Sequence, residues 1–195
     1  MCLDKKMFLD LYKALVRPHL EYANPVWSPK LGRHINMLEN VQDRATRLIP
    51  GLKDKPYEVR LAELKLPTLA YRRFHGDLIE VYKILAGKCD PDACSDFIKL
   101  RGDSTTRGSS LKIFKERPRL DIRKYSFPHR IVDIWNKLPE KVVNAGEVVI
   151  FENRLDKFLR KQKILYQYKA KLDLYPSNAG RKSLDFVNDL VQEAH

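Results

Sequence analysis

The sequence has no adjacent Asp-Asp pair, no Gly-x-Ser-x-Gly elbow, no His-Glu-x-x-His and no Gly-x-x-x-x-Gly-Lys loop. The common hydrolase, metalloprotease and nucleotide-binding signatures are therefore missing. Apolar runs are short: none approaches the roughly 18 residues that a membrane-spanning helix requires. The N-terminus also lacks the basic and apolar regions of a signal peptide, so the expectation is an intracellular chain that does not enter a membrane. Cysteine is scarce. Cys2, Cys89 and Cys94 make an odd number in a chain without secretory features, which argues against a disulfide framework and for reduced thiols. Cys89 and Cys94 have zinc-like spacing, but His75 would have to reach back from a helix and no fourth ligand is well spaced. No metal or other cofactor is expected.

Residues suited to catalysis are thinly spread. The one Asp-x-Asp, Asp90-Pro91-Asp92, follows a helix, where aspartates commonly bond to their own turn. His19, His34, His75, His129 and His195 have no sequence neighbour that would make a relay with a nucleophile, and each reads as a surface or half-buried imidazole. Acidic residues are also outnumbered. The 37 Lys and Arg against 25 Asp and Glu leave a net charge of +12, the balance of a chain that meets phosphate or acidic lipid.

What is present is a strong helical pattern. Hydrophobic residues make up 44% of the chain and recur at helical spacing, which predicts a globular, mainly α fold. Phe8, Leu11, Leu15 and Tyr22 predict one face of a helix from Asp4, its N-cap, to Tyr22, kinked or ended early by Pro18. The Asn24 to Pro29 stretch then reads as an extended connector that buries Trp27. Ile35, Leu38, Val41, Ala45 and Leu48 predict the inward stripe of a second helix, Arg33 to Ile49, stopped by Pro50-Gly51. Pro56 opens a short third helix carrying Tyr57, Leu61 and Leu64. Thr68 caps a fourth, Leu69 to Leu85, with Phe74, Leu78, Val81 and Leu85 inward and Gly87 as C-cap.

From Cys89 to Ser126 the helical period fails. This is read as a loop-rich basic insertion with a short hairpin of Leu111 to Phe114 and Leu120 to Ile122. Two helices follow, Phe127 to Lys137 with Ile131, Ile134, Trp135 and Leu138 inward, and about Gly146 to Lys163 with Phe151, Leu155 and Phe158 inward. A proline-glycine break at Tyr175 to Lys182 precedes a short amphipathic helix around Leu184 to Val191. The expected organisation is a helical bundle over 1–88, the insertion over 89–126, a helical region over 127–172 and a tail over 173–195.

Positive charge concentrates in two places. Between Arg101 and Arg130, nine basic residues including Arg107, Arg117, Arg119, Arg123, Lys124 and Arg130 face three acidic ones, with Phe114, Tyr125 and Phe127 interspersed. Guanidinium contacts to phosphate can there combine with base stacking, although a solvated loop has the same composition. On the later helix Arg154, Lys157, Arg160, Lys161 and Lys163, opposed by Asp156, recur at three- and four-residue steps and make a basic stripe, which suits a phosphate backbone and equally the wet side of a core helix. Arg44 and Arg47 lie one turn apart. Arg72 and Arg73 stand near a helix start, where positive charge is unfavourable unless an anion or a side chain such as Glu63 or Asp77 meets it.

The run Leu11-Tyr12-Lys13-Ala14-Leu15-Val16-Arg17-Pro18-His19-Leu20-Glu21-Tyr22-Ala23-Asn24-Pro25-Val26-Trp27-Ser28-Pro29 resembles the stretch after the polymerase palm in jockey-like non-LTR (LINE-type) retrotransposon reverse transcriptases. Further blocks follow in that family's order: Leu38 to Arg47, Leu64 to Leu69, Arg72-Arg73, Arg117 to Lys124, Trp135 to Pro139, and Phe151 to Phe158. The resemblance implies an all-helical thumb over roughly the first 86 residues, packed against an upstream palm and gripping template and primer, then a post-thumb region that meets RNA. The family's catalytic Asp pair, with its Mg, precedes this segment. The implied partners are RNA or an RNA–DNA hybrid, met by the basic residues above together with Lys13 and Arg17, and the palm itself. A repurposed helical module that binds protein partners or itself through apolar faces is the alternative, and a basic peripheral membrane protein a more distant one.

Overall fold

The computed structural model of the protein describes residues 4–90, 98–102, 111–170 and 172. Cys2, Asp92, Cys94, Arg107, His195 and the C-terminal amphipathic stretch around Leu184 to Val191 lie outside the described residues. Among those described, secondary structure is helical apart from one isolated antiparallel bridge, Leu100 with Ile113, so the fold is mainly α as expected. No helix among them is long and apolar enough to cross a membrane.

The chain forms two compact units, one from residues up to Arg73 together with those from Lys161 on, the other from Phe74 to Arg160. The division falls inside a helix and not at the Gly87 turn, and the described residues from Lys161 to Ala170 return to the first unit. Thr68 makes that return: its N–H donates to Leu165 O at 2.9 Å and its hydroxyl to Ile164 O at 2.7 Å.

In the first unit α1 (Lys5–Leu11) runs into a π turn, Tyr12–Val16, and then α2 (Arg17–Glu21). Pro18 has no N–H and its ring would press on the carbonyl four residues back. The helix widens instead of breaking: Arg17 N–H donates to Tyr12 O, five residues back, and Pro18 takes the first turn of α2. Asp4 stands at the N-cap but its side chain bonds no backbone N–H there. The buried face is Phe8 and Tyr12, stacked with ring planes 7° apart, while Leu11, Leu15 and Tyr22 point outward, contrary to the stripe expected from spacing.

The second expected stripe is displaced in the same way. On α3 (Gly32–Arg47) the buried residues are Glu39, Gln42 and Thr46, with Val41 and Leu48 exposed. The polar face faces inward because it is fully met by partners. Tyr12 Oη donates to Gln42 Oε1 (2.8 Å), Gln42 Nε2 donates to Pro67 O and Tyr57 Oη (3.1 Å each), and Tyr57 Oη donates to Glu39 Oε2 (2.7 Å). Ala70 N–H donates to Glu39 Oε1 at 2.8 Å. Burial raises the Glu39 carboxyl above its usual range, and burial beside Glu39 raises the Tyr12 and Tyr57 phenols. Arg60 on α4 (Tyr57–Leu64) is also buried, donating to Asp43 O, Thr46 Oγ1 and Lys55 O and paired with the Asp43 carboxylate. Lys65 closes α4 in the left-handed region (φ 49°), and Leu61, Leu64, Leu66, Ile49 and Leu52 complete the apolar core around Phe8 and Tyr12.

The fourth helix, α5 (Leu69–Leu85), has the bounds its sequence predicts, with Leu78 and Val81 buried as expected and Phe74 and Leu85 only half-buried. Thr68 Oγ1 accepts from Tyr71 N–H at 3.1 Å, and Gly87 closes the end with φ +64°, its neighbour Lys88 donating back to Lys83 O. Short α6 (Asp121–Lys124) precedes α7 (Phe127–Trp135), α8 (Glu140–Val143) and α9 (Val148–Leu159). The second unit's core centres on Phe151, stacked on Tyr82 at 4.4 Å and tilted against Trp135 at 5.8 Å. Ile131, Leu138, Leu155 and Leu159 are buried with them.

Candidate nucleic-acid interface

The expected hairpin of 111–114 with 120–122 does not form. Residues 99–101 pair with 112–114 instead, through Phe114 N–H to Lys99 O and Arg101 N–H to Lys112 O, 2.8 Å each. Asn136 fixes this pair to the end of α7: its Oδ1 accepts from Ile113 N–H (2.8 Å) and its Nδ2 donates to Ile113 O (2.9 Å). Trp135 Nε1 donates to Leu111 O at 2.8 Å. With Ile113 held down, the following segment runs outward and turns into α6, where Arg123 and Lys124 N–H groups donate to Leu120 O. Asp121 in its first turn and Arg123 and Lys124 in its last suit the dipole of even so short a helix.

The result is an exposed run in which cations and large apolar groups alternate. Arg117, Arg119, Arg123 and Lys124 are exposed, and so are Phe114 (53%), Leu120 (68%), Ile122 (85%) and Tyr125. Arg117 and Arg119 have no ion-pair partner among the described residues. Arg123 comes only within 3.8 Å of Glu116, and Lys124 Nζ lies 5.7 Å from the Tyr125 ring centre. Such a surface offers donors to phosphates and flat apolar faces to bases.

The other basic residues fall into two groups. Lys13 and Arg44 are exposed in the first unit, as is Lys161, and Lys157 and Arg160 are exposed on and just after α9. Arg47 is exposed but pairs with Asp43 at 3.0 Å. Others are turned to internal work. Arg72 makes a two-pronged pair with Glu21, which also meets Arg17 at 3.3 Å, so the partner is neither Glu63 nor Asp77. Burial, with Arg72 beside it, lowers the Arg17 guanidinium below its ordinary value. Arg73 is buried: Nη2 donates to Leu20 O at 2.8 Å and the guanidinium sits 5.0 Å from the Trp27 ring centre. Arg130 makes two 2.9 Å bonds to buried Asp77. Arg154 donates to Lys141 O and Asn144 O, closing the end of α8.

Trp27 is not the buried anchor its sequence context suggests. It is 40% exposed, its Nε1 donating to Tyr22 O, whereas Trp135 is 2% exposed. The two neighbours of Trp27 that decide this, Tyr22 and Arg73, are distant from each other in sequence. The sequence singled out nothing at Lys99 and gave no reason to connect it with Glu116 and His129; the bridge between 99–101 and 112–114 brings the three to one cavity of about 600 Å3 beside α7. The signal available for Glu116 and His129 was their place in the basic, aromatic stretch, and Lys99 lies just before it.

Cys89 Sγ lies 3.8 Å from Glu80, and no group of three or more His, Cys, Asp or Glu among the described residues is arranged to hold a metal ion. His75 Nε2 lies 2.8 Å from Asp156 Oδ1, a pairing across α5 and α9. Comparison with known proteins finds no matching family model, no matching curated protein and no matching solved structure.

Proposed function

We propose that this chain is a nucleic-acid-binding segment of a non-LTR (LINE-type) retrotransposon reverse transcriptase, holding RNA or an RNA–DNA hybrid and supplying no polymerase chemistry itself. The observation that carries the reading is the exposed run from Phe114 to Tyr125, where four cations with little internal neutralisation alternate with four large apolar side chains. A merely solvated loop has no reason to expose Leu120, Ile122 and Phe114 together. The ordered blocks of sequence that resemble the family add the rest: they put this run in the post-thumb region and the first helices in the thumb. An intracellular location and an upstream palm as partner belong to the same proposal.

The contacts are with backbone and base faces, so sequence preference is weak. The test is a filter-binding titration of RNA and of an RNA–DNA hybrid at several salt concentrations. If about five phosphates are neutralised, log K falls against log salt with a slope of roughly −3.5 for a single strand. A flat salt dependence overturns the reading.

A protein-binding module is the second reading, favoured by the outward Met7, Leu11 and Leu15 on the first helical segment and Met37, Val41 and Leu48 on or beside α3. In the polymerase reading the same residues are surfaces for the palm.

A further inference from the structure

We propose that the cavity beside α7 receives one unpaired nucleotide of a bound RNA strand, its base against Phe114 and the apolar floor, its phosphate at Lys99 and Arg123. This inference rests on the nucleic-acid reading above and names the part of the strand that the second unit would grip.

The cavity, about 600 Å3, has the size of pockets that hold small molecules, roughly 300–1,000 Å3. Its chemistry is divided. Buried Ile113 and Val132 form an apolar floor, and Phe114, half exposed, stands at the edge. Lys99 and Arg123 are the basic side chains of the rim, both largely exposed. A bare anion would gain nothing from the floor, and an apolar ligand would have to sit beside two cations. A flat ring joined to a phosphate satisfies both halves, and an aromatic side chain stacks on any base.

The walls are set before a ligand arrives. Lys99 and Phe114 are held opposite each other by the 2.8 Å bond from Phe114 N–H to Lys99 O, and Ile113 is clamped by Asn136. Ser126 Oγ–H donates to Arg123 O at 2.7 Å, which leaves His129 Nδ1–H, 2.9 Å from Ser126 Oγ, to donate to that hydroxyl oxygen. A site organised in advance loses less ordering entropy on binding.

Glu116 shows where an anion sits. Its carboxylate lies 3.8 Å from Lys99 Nζ and from Arg123 Nη2, near enough for attraction and too far for hydrogen bonds. The two rim cations therefore keep donors for a phosphate, and Glu116 competes with it. Removing the Glu116 charge should strengthen binding, an effect that a purely structural role for Glu116 would not produce.

The experiment compares the full chain with its Phe114→Ala and Glu116→Gln variants by fluorescence anisotropy at low salt. The probes are a mixed-sequence single-stranded RNA of about ten nucleotides, inside the site sizes of single-strand binders, and an abasic strand of the same length. The unaltered protein should prefer the intact strand by about tenfold, the scale of one base stacked on an aromatic ring. Phe114→Ala should lose that preference, keeping its melting temperature and its binding to the abasic strand. Glu116→Gln should bind both strands several-fold more tightly. Equal binding of the two strands by the unaltered protein, a preference surviving in Phe114→Ala, or no gain in Glu116→Gln each overturns the pocket while leaving the wider nucleic-acid reading standing. If neither strand binds, both fall.

Discussion

Trp27 and Trp135 each follow apolar residues and precede a proline, yet they do different physical work. Trp135 is wedged against Phe151 with its N–H bonded to Leu111 O, so Trp135→Ala opens a cavity and should cost about 3 to 5 kcal/mol. Trp27 covers the Arg73 guanidinium and stays 40% exposed, so Trp27→Ala should cost about 1 kcal/mol, the scale of a partly solvated cation–π contact. Urea denaturation of both variants checks the contrast, and equal losses would refute it. Glu39 has a pH consequence. Its folded-state carboxyl is raised by burial, so its stabilising share is complete below its ordinary value of 4.5 and declines as pH rises and the native carboxyl is forced to ionise. The stability of Glu39→Gln relative to the unaltered protein should therefore improve from about pH 4.5 toward neutrality. A difference that stays constant over that range would show that Glu39 does not titrate in this way. Nothing in the sequence separated these cases, because apolar neighbours along the chain do not report what packs on a ring or a carboxyl from elsewhere.

At the scale of elements, arginines within one basic stretch divide by what the fold brings to them. Arg130 is locked to Asp77 across α5 and α7, and Arg130→Gln should cost about 3 kcal/mol by taking the guanidinium away from a buried carboxylate. The run around α6 should behave oppositely. Replacing Arg117, Arg119, Arg123 and Lys124 together by Gln removes exposed charges, so melting should be nearly unchanged while RNA affinity falls. Thermal melts and RNA titrations on both variants decide it: an unfolded quadruple variant, or one that binds normally, removes α6 from the interface. The outward stripe on the first helical segment is a separate case. Leu11→Glu with Leu15→Glu should leave the fold intact and reduce any self-association seen by light scattering, since both side chains are exposed. Of these elements, α5 was legible end to end, from the Thr68 cap to Gly87, because both its caps are local. The hairpin was not, since residues 112–114 had two candidate partners and only the Asn136 clamp and the Trp135 bond favour the arrangement with 99–101.

For the molecule as a whole, the proposed role carries a negative prediction. Pure protein should give no template-dependent nucleotide incorporation, since the sequence offers no adjacent Asp pair for the two metal ions of phosphoryl transfer. Extension of a primed template would overturn it. The sequence by itself determined the mainly helical class, the strong positive charge, the position of the best-capped helix and the core residues Ile131, Trp135, Phe151 and Leu155, all of which follow from periodicity, capping and composition within short windows. Only the tertiary structure decided which face of α3 is buried, which arginines are spent on Glu21, Asp77 and Trp27, and that Lys99, Phe114, Glu116 and His129 share a cavity. The physical reason is that a polar or charged side chain is buried or exposed according to partners far away in sequence, and a buried polar face costs little when every group on it is met, as Tyr12, Tyr57, Pro67 and Ala70 meet Glu39 and Gln42.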